Sequence, residues 1–292
     1  MNILTFDIEE WYLEKAFHGN RKERYDLFDL HLNKILDLLE ERNILATFFC
    51  LGKMATDFPQ VVKKIVSKGH EIGCHSNKHV WLNKMSYNEV DEDTHCAIDS
   101  LEQLVGKKIK GYRAPAFSIG ENNKWAFEIL HKYGIEYDAS VYPAARDFGG
   151  FPTFGYKTPV IISYNGIQIK EFPICMTKLF GKDLAYSGGG YFRMFPLWYV
   201  LNTAKKNNYV MTYFHIGDIL PGNRKIISRT EYENYFKEKG TLFNRYKRYV
   251  KSNMGRSGAF EKMTKFITKL EIIDIEQAIK QIDWNSSEKV FF

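Results

Sequence analysis

A chain of 292 residues is long enough for one large α/β domain or two small ones. With 45% hydrophobic residues and 15% aromatics it can bury a substantial core, which excludes a disordered protein. No apolar run is long enough to span a bilayer, and the net charge of +6 is modest and comes with no nucleic-acid-reading motif.

Asn2 to Asp7 reads as a strand, a hydrophobic run that closes on acids (NILTFDIEEW). Asp26 to Arg42 has helical apolar spacing through Leu27, Leu30, Ile35, Leu38 and Leu39. A second strand follows at Leu45 to Cys50. Asp57 stands as an N-cap, with Pro59 in the first turn of a helix that ends at Gly69. Glu71 to His75 is a short third strand. Ser86 and Glu89 form a capping-box pattern opening a helix to about Val105. Ile109 to Arg113 is a fourth strand, Asn122 to Tyr133 a helix stopped by Gly134, and Glu136 to Val141 a fifth strand. This alternation implies a parallel sheet, open or closed into a barrel, whose active residues gather at the C-terminal strand ends.

The pattern changes between Tyr142 and Phe172, where Asn165-Gly166 separates two extended runs and predicts an inserted antiparallel hairpin. Gly188-Gly189-Gly190 marks a flexible or tightly approached loop before YFRMFP. A helix from about Pro196 to Asn207 and a strand from Tyr209 to His215 resume the alternation. Between Leu242 and Leu270 stand eight basic residues against Glu261, a net +7 that exceeds the charge of the whole chain. That segment suits anionic lipid headgroups or a pyrophosphate-linked substrate, or else is a solvated amphipathic helix with Tyr246, Tyr249 and Val250 toward the body. Residues 1–285 are expected to form a single catalytic domain. Within it lie the hairpin at about 142–172 and a basic helical extension at about 242–271, and 286–292 follow as a frayed tail. Cys50, Cys74, Cys96 and Cys175 show no CxxC pairing and read as reduced thiols. No secretory leader is visible ahead of Asp7, so a cytoplasmic location is expected.

Four segments carry chemistry-bearing residues. His75 and His79 are four apart in HSNKH, a spacing that lets both imidazoles reach one metal from a helical turn. Asp7 and Glu9 are two apart and share a face if the strand continues, so one can ligate while the other acts as base. Arg113 can hold a buried carboxylate ionised and oriented. His215 is placed as an acid, and Asp138 as the group that orients its imidazole.

These motifs, in this order, resemble the NodB-type polysaccharide deacetylases, carbohydrate esterase family four. TFDIEE stands for the family's TFDD, HSNKH for its H-S/T-x-x-H and RAP for its R-x-P. EYDAS and YFHIGD stand for the fourth motif and the late histidine motif. The subgroup that pairs FD-x-E-x-W with YRAP-x-FS and GGGYFR, associated with exopolysaccharide and surface-glycan loci, is most similar. Two departures are visible. Ile8 replaces the second Asp of TFDD, which moves the carboxylate ligand to Glu9 or Glu10, with Glu9 favoured by the same-face argument. His215-Ile216-Gly217-Asp218 replaces HPWE, with Asp218 as a partial substitute for the Glu.

The resemblance implies a distorted (β/α) barrel and metal-dependent removal of an N-acetyl group from a hexosamine. It assigns Asp7 as base, Arg113 as its orienter, Glu9, His75 and His79 as metal ligands, His215 as acid and Asp138 as its orienter. A backbone N–H near Ala116 is a candidate second oxyanion donor beside the metal, and Trp11, Gly189, Gly190, Tyr191 and Arg193 fall at substrate-binding positions. Zinc is the expected ion, with cobalt, nickel, iron and manganese equally compatible with one carboxylate and two imidazoles. The expected partner is an N-acetylated saccharide. The basic segment favours a lipid-linked one met at an anionic membrane surface. The competing readings are a cyclic amide hydrolase on the same barrel and a catalytically silent glycan-binding member.

Overall fold

The computed structural model describes residues 1–9, 21–146, 149–179, 181–219, 225–236 and 238–292. Glu10 and Trp11 lie outside them. Strands β1 (Asn2–Ile3), β2 (Thr5–Ile8), β3 (Thr47–Cys50), β4 (Glu71–Cys74), β5 (Gly111–Tyr112) and β6 (Tyr137–Asp138) are joined by helices α1 (Arg21–Glu41), α2 (Gly52–Asp57), α3 (Pro59–Ser67), α4 (Tyr87–Val105) and α5 (Ala126–Lys132). A hairpin, β7 (Val160–Tyr164) and β8 (Ile167–Glu171), precedes a small ribbon, β9 (Met176–Leu179) and β10 (Lys182–Ala185). Helices α6 (Gly189–Met194) and α7 (Leu197–Lys206) lead to β11 (Val210–Met211), β12 (Phe214–His215) and α8 (Ile216–Ile219). The chain ends with α9 (Arg229–Phe236), α10 (Leu242–Asn253), α11 (Ala259–Thr268), β13 (Ile272–Ile273), α12 (Ile275–Gln281) and β14 (Lys289–Phe291).

The main sheet runs in the order β12-β2-β3-β4-β5-β6-β8-β7-β14. Every neighbour pair is parallel except the β7–β8 hairpin. This is the mostly parallel, helix-flanked sheet of a distorted (β/α) barrel. No ladder joins β12 to β14 among the described residues. A single buried apolar cluster extends from Ile3 to Val290. Its centre is aromatic, with Phe6 stacked on Phe48 at 4.9 Å and Phe192 edge-on to Phe214 at 4.9 Å. Strands β2, β3 and β4 are buried along their whole length, as the inner strands of a parallel sheet covered on both faces should be.

Several expected elements take a different form. The run Asn2 to Asp7 breaks at Leu4, whose N–H turns to Ile273 while its carbonyl accepts from Thr47. The run Tyr209 to His215 breaks at Thr212, which accepts two hydrogen bonds from Thr5, one on its hydroxyl and one on its carbonyl. The break lets β1 and β11 pair in a second sheet, β11-β1-β13, while β2 and β12 pair in the first. In α1 the buried stripe is Phe28, Leu32, Ile35, Leu36 and Leu39, so Leu27 and Leu30 are left exposed. Asp57 does not cap α3; it pairs with Lys53 one turn back in α2. The Ser86–Glu89 capping box forms as expected, and Gly106 ends that helix in the left-handed region.

The expected antiparallel hairpin forms, and it belongs to the main sheet. Asn165 and Gly166 turn with φ of 45° and 82°, the left-handed geometry of a tight two-residue loop, and β8 then pairs with β6 inside the main sheet. Residues 286–292 are not a frayed tail, because β14 pairs in parallel with β7 and Phe292 stacks on Phe151.

Candidate active site

The strand ladders bring the acidic and basic residues to one edge. Asp7 on β2 stands in register with His215 on β12, so one ladder sets the two residues side by side. Asp7 is buried, and its Oδ1 accepts from Arg113 Nη1 at 2.8 Å. The guanidinium is itself fully enclosed. It donates to Thr5 Oγ1 at 2.7 Å and to the Ala139 carbonyl at 3.2 Å, and lies over the Phe49 ring at 4.2 Å. A guanidinium fixed on a buried carboxylate orients it and offsets the cost of burying its charge.

Glu9, just beyond β2, faces the two imidazoles. His75 Nε2 stands 3.0 Å from Glu9 Oε2, and His79 Nε2 contacts the same oxygen. The ligand atoms of these three buried residues lie within 4.8 Å of one another. His75 Nδ1 is committed to the Arg113 carbonyl at 2.6 Å, which leaves Nε2 as the ligating nitrogen. Burial alone raises the Glu9 pKa, but the His79 charge and hydrogen bonds from His215, His75 and His79 outweigh it and hold the carboxyl well below its usual range. A carboxylate and two imidazoles converging on one point is a donor set that fits a divalent cation. Glu9 is the carboxylate of this cluster among the described residues, and Glu10 lies outside them.

The two histidines do not share a helical turn. They sit on a loop in which Ser76 and His79 both adopt positive φ, 68° and 58°. The loop is pinned by Asp93 of α4, which accepts from Asn77 N at 2.8 Å, and by Ser76 Oγ, which accepts from His79 N at 3.0 Å. On its other side the Ser76 and Asn77 carbonyls cap the start of α2, accepting from the N–H groups of Gly52 and Lys53. Gly52 packs so tightly on α4 that a Cβ there would stand 2.4 Å from Ala97 Cα.

His215 Nε2 stands 3.2 Å from Glu9 Oε1 and 3.9 Å from Asp7 Oδ2, across the same small space. Its Nδ1 bonds Asp218 Oδ2 at 2.8 Å, and Asp218 Oδ1 is gripped by Arg193 from α6. Burial works to lower the imidazole pKa, but the bonds to Asp218 and Glu9 prevail and hold it well above its usual value. The orienter of His215 is therefore Asp218, and the expectation for Asp138 is corrected. Asp138 is fully buried and bonds Ser140 through both N–H and hydroxyl. Burial raises the pKa of both Asp138 and its neighbour Glu171, whose Oε1 accepts from the Val141 N–H at 3.0 Å. Asp138 supports the loop after β6 and lacks any contact that would reach an imidazole among the described residues. The signal for Asp218 was its position three residues after His215, on the first turn of a short helix.

Arg193 is likewise buried and committed, so it supports the acid and does not present its charge to a substrate. Gly189 has φ of 52° and lies against the Tyr213 ring, where a Cβ would meet carbon at 3.2 Å. Gly190 and Tyr191 line the same turn of α6, half-buried. Ala116 is half-buried with φ of 54° in the tight turn after Arg113, beside Phe117, which packs edge-on against Tyr213 at 5.2 Å.

With this geometry in hand, two family models match the chain. Residues 4–137 match the model described as polysaccharide deacetylase, and residues 139–280 match a domain of unknown function, DUF3473. The first of these spans, a little under half of the chain, is thus similar to a polysaccharide deacetylase domain. The boundary falls at strand β6, so the main sheet continues across it, and Arg193, His215 and Asp218 all come from the second span.

Among curated relatives, a peptidoglycan-N-acetylglucosamine deacetylase from Bacillus cereus is 42% identical over 96 residues, 32% of this chain and 35% of that protein. The chain thus spans less than half the length of the first curated relatives it matches. Among solved structures, a "putative polysaccharide deacetylase" from Mycobacterium smegmatis superposes with a TM-score of 0.64 at 18% identity, over 98% of this chain and 91% of that one. A CE4 family pseudoenzyme from Bacillus anthracis gives 0.51 at 12% identity, over 100% and 69%. At these identities the two likenesses establish the fold.

Proposed function

We propose that this protein is a metal-dependent hydrolase that removes the acetyl group from an N-acetylhexosamine in a glycan or glycan precursor. One observation carries the reading. A base held by an arginine, a Glu-His-His cluster and an acid held by its own aspartate converge from separate strand ends on one space. A pure glycan binder has no use for a base and an acid 3.9 Å apart.

A divalent ion held by Glu9, His75 and His79, zinc by first choice, would supply Lewis acidity for the amide carbonyl and lower the pKa of the attacking water. The protein's own groups do the rest. Asp7, oriented by Arg113, accepts a proton from water. The backbone N–H at Ala116 is the candidate hydrogen-bond donor to the developing oxyanion. His215, kept protonated by Asp218, gives its proton to the departing amine nitrogen. Tyr191 and the glycines of α6 are the proposed edge of the substrate wall. We place the protein in a reducing compartment, the cytoplasm, a reading supported by three buried free thiols, Cys50, Cys74 and Cys175.

The test is acetate release from sugar nucleotides, chitin oligomers, peptidoglycan fragments and lipid-linked saccharides, with zinc or cobalt, with chelator, and with Asp7→Asn. Metal-dependent release lost in the variant is the expected result. Metal bound stoichiometrically with no release from any of them would overturn the deacetylase reading in favour of cyclic amide hydrolysis or binding alone.

A further inference from the structure

Helix α10 is amphipathic in the wrong sense for a helix of a folded body. Leu242, Tyr246 and Val250 follow one another at i, i+4, i+8 with Phe243 beside them, an apolar stripe that would normally face the core. Here the stripe faces outward. Leu242, Phe243 and Tyr246 are 67%, 74% and 55% exposed, and no residue of the helix is buried. The opposite side is the one engaged with the protein: Arg245 donates to the Ile227 carbonyl at 3.2 Å and the Arg248 guanidinium lies over Phe236 at 4.0 Å. Helix α11, by contrast, buries Met263, Phe266 and Ile267 as expected.

The charge beside the outward stripe is of one sign. Lys247 and Lys251 are exposed along its flank, and Leu242–Asn253 contains no acidic residue. Apolar and aromatic side chains flanked by lysines, on a helix lying flat against a body, is the composition of an interfacial helix.

We propose that the outer face of α10 docks the protein onto an anionic lipid bilayer. Leu242, Phe243 and Tyr246 enter the interface, and Lys247 and Lys251 meet the headgroup charge. The helix is joined to the acid side of the active site. Arg193, which grips Asp218, also donates to the carbonyls of Lys251 and Met254 at the end of α10, at 3.2 Å each. Docking therefore presents the site to saccharides held at a membrane surface, a placement that rests on the deacetylase reading, while the docking itself does not.

The experiment is co-sedimentation of the full chain with vesicles of phosphatidylglycerol or of phosphatidylcholine, at low and high salt. The variants are Leu242→Ser/Phe243→Ser/Tyr246→Ser and Lys247→Glu/Lys251→Glu, all at exposed side chains. Binding to phosphatidylglycerol alone, weakened by salt and roughly tenfold or more by either set of changes, is expected. Hydrolysis of a soluble substrate should be unchanged, and because sedimentation needs no turnover the two proposals fail separately. Absence of binding to phosphatidylglycerol, or binding that both variants retain, would overturn the docking. So would a dimer that the serine variant dissociates in the absence of vesicles, which would assign the face to a second copy.

Discussion

Asp7 and Glu9 are two residues apart and both acidic, yet their neighbours give them different work. Asp7 meets one guanidinium that cannot lose its proton, and Glu9 meets three imidazoles. Replacing Asp7 by Asn should lower kcat roughly a hundred- to ten-thousand-fold while bound metal, measured by elemental analysis, stays stoichiometric. Equal loss of metal would mean that Asp7 is a ligand instead. Asp218 acts through His215. Asp218→Asn should cut kcat by a comparable factor with KM little changed, and Asp218→Glu should recover part of it. A rise in KM alone would place Asp218 on the substrate instead.

At the scale of elements, two packed junctions carry predictions. His70 sits between α3 and β4 with its ring 5.0 Å from Phe48, only 3% exposed, and neither ring nitrogen has a partner among the described residues. Burial, reinforced by Lys68, pushes its pKa down to about 4. The unfolded chain binds this proton near pH 6.5 and the folded chain only near 4, so stability falls as pH drops through that window. The loss between neutral pH and pH 5 is about 2 kcal/mol, and His70→Phe should remove it in urea titrations across pH. At the far edge of the sheet, deleting 287–292 strips Val290 and the Phe292 ring from the core. That should cost about 3 kcal/mol and lower Tm by several degrees. An unchanged Tm would show that β14 adds nothing to the fold.

For the molecule as a whole, the Glu9, His75 and His79 cluster joins the His75–His79 loop to the end of β2. A divalent ion bound by the folded state alone should therefore stabilise it, by about 2.7 kcal/mol at a hundredfold excess over Kd. Thermal melts with zinc and with chelator should differ accordingly, and Glu9→Gln should abolish the difference. A zinc shift that survives Glu9→Gln would move the ion elsewhere.

Five motifs in order made the proposed reaction class and the candidate base, acid and two imidazole ligands readable before any coordinates, because each is a local word at a strand end. Strand–helix alternation likewise made the sheet parallel. What depended on distance was not readable. Asp138 was expected to hold the imidazole, and Asp218 read only as a partial substitute for the Glu of HPWE. Only the β2–β12 ladder, which sets His215 beside Asp7, and α6, which brings Arg193 to Asp218, decide between them. The direction of α10 was equally hidden. Its apolar spacing says that one face is special, and local sequence says nothing about which side the rest of the body occupies. The sequence by itself determined which groups could react. The tertiary structure decided which of them meet, because burial and pairing depend on residues far away along the chain.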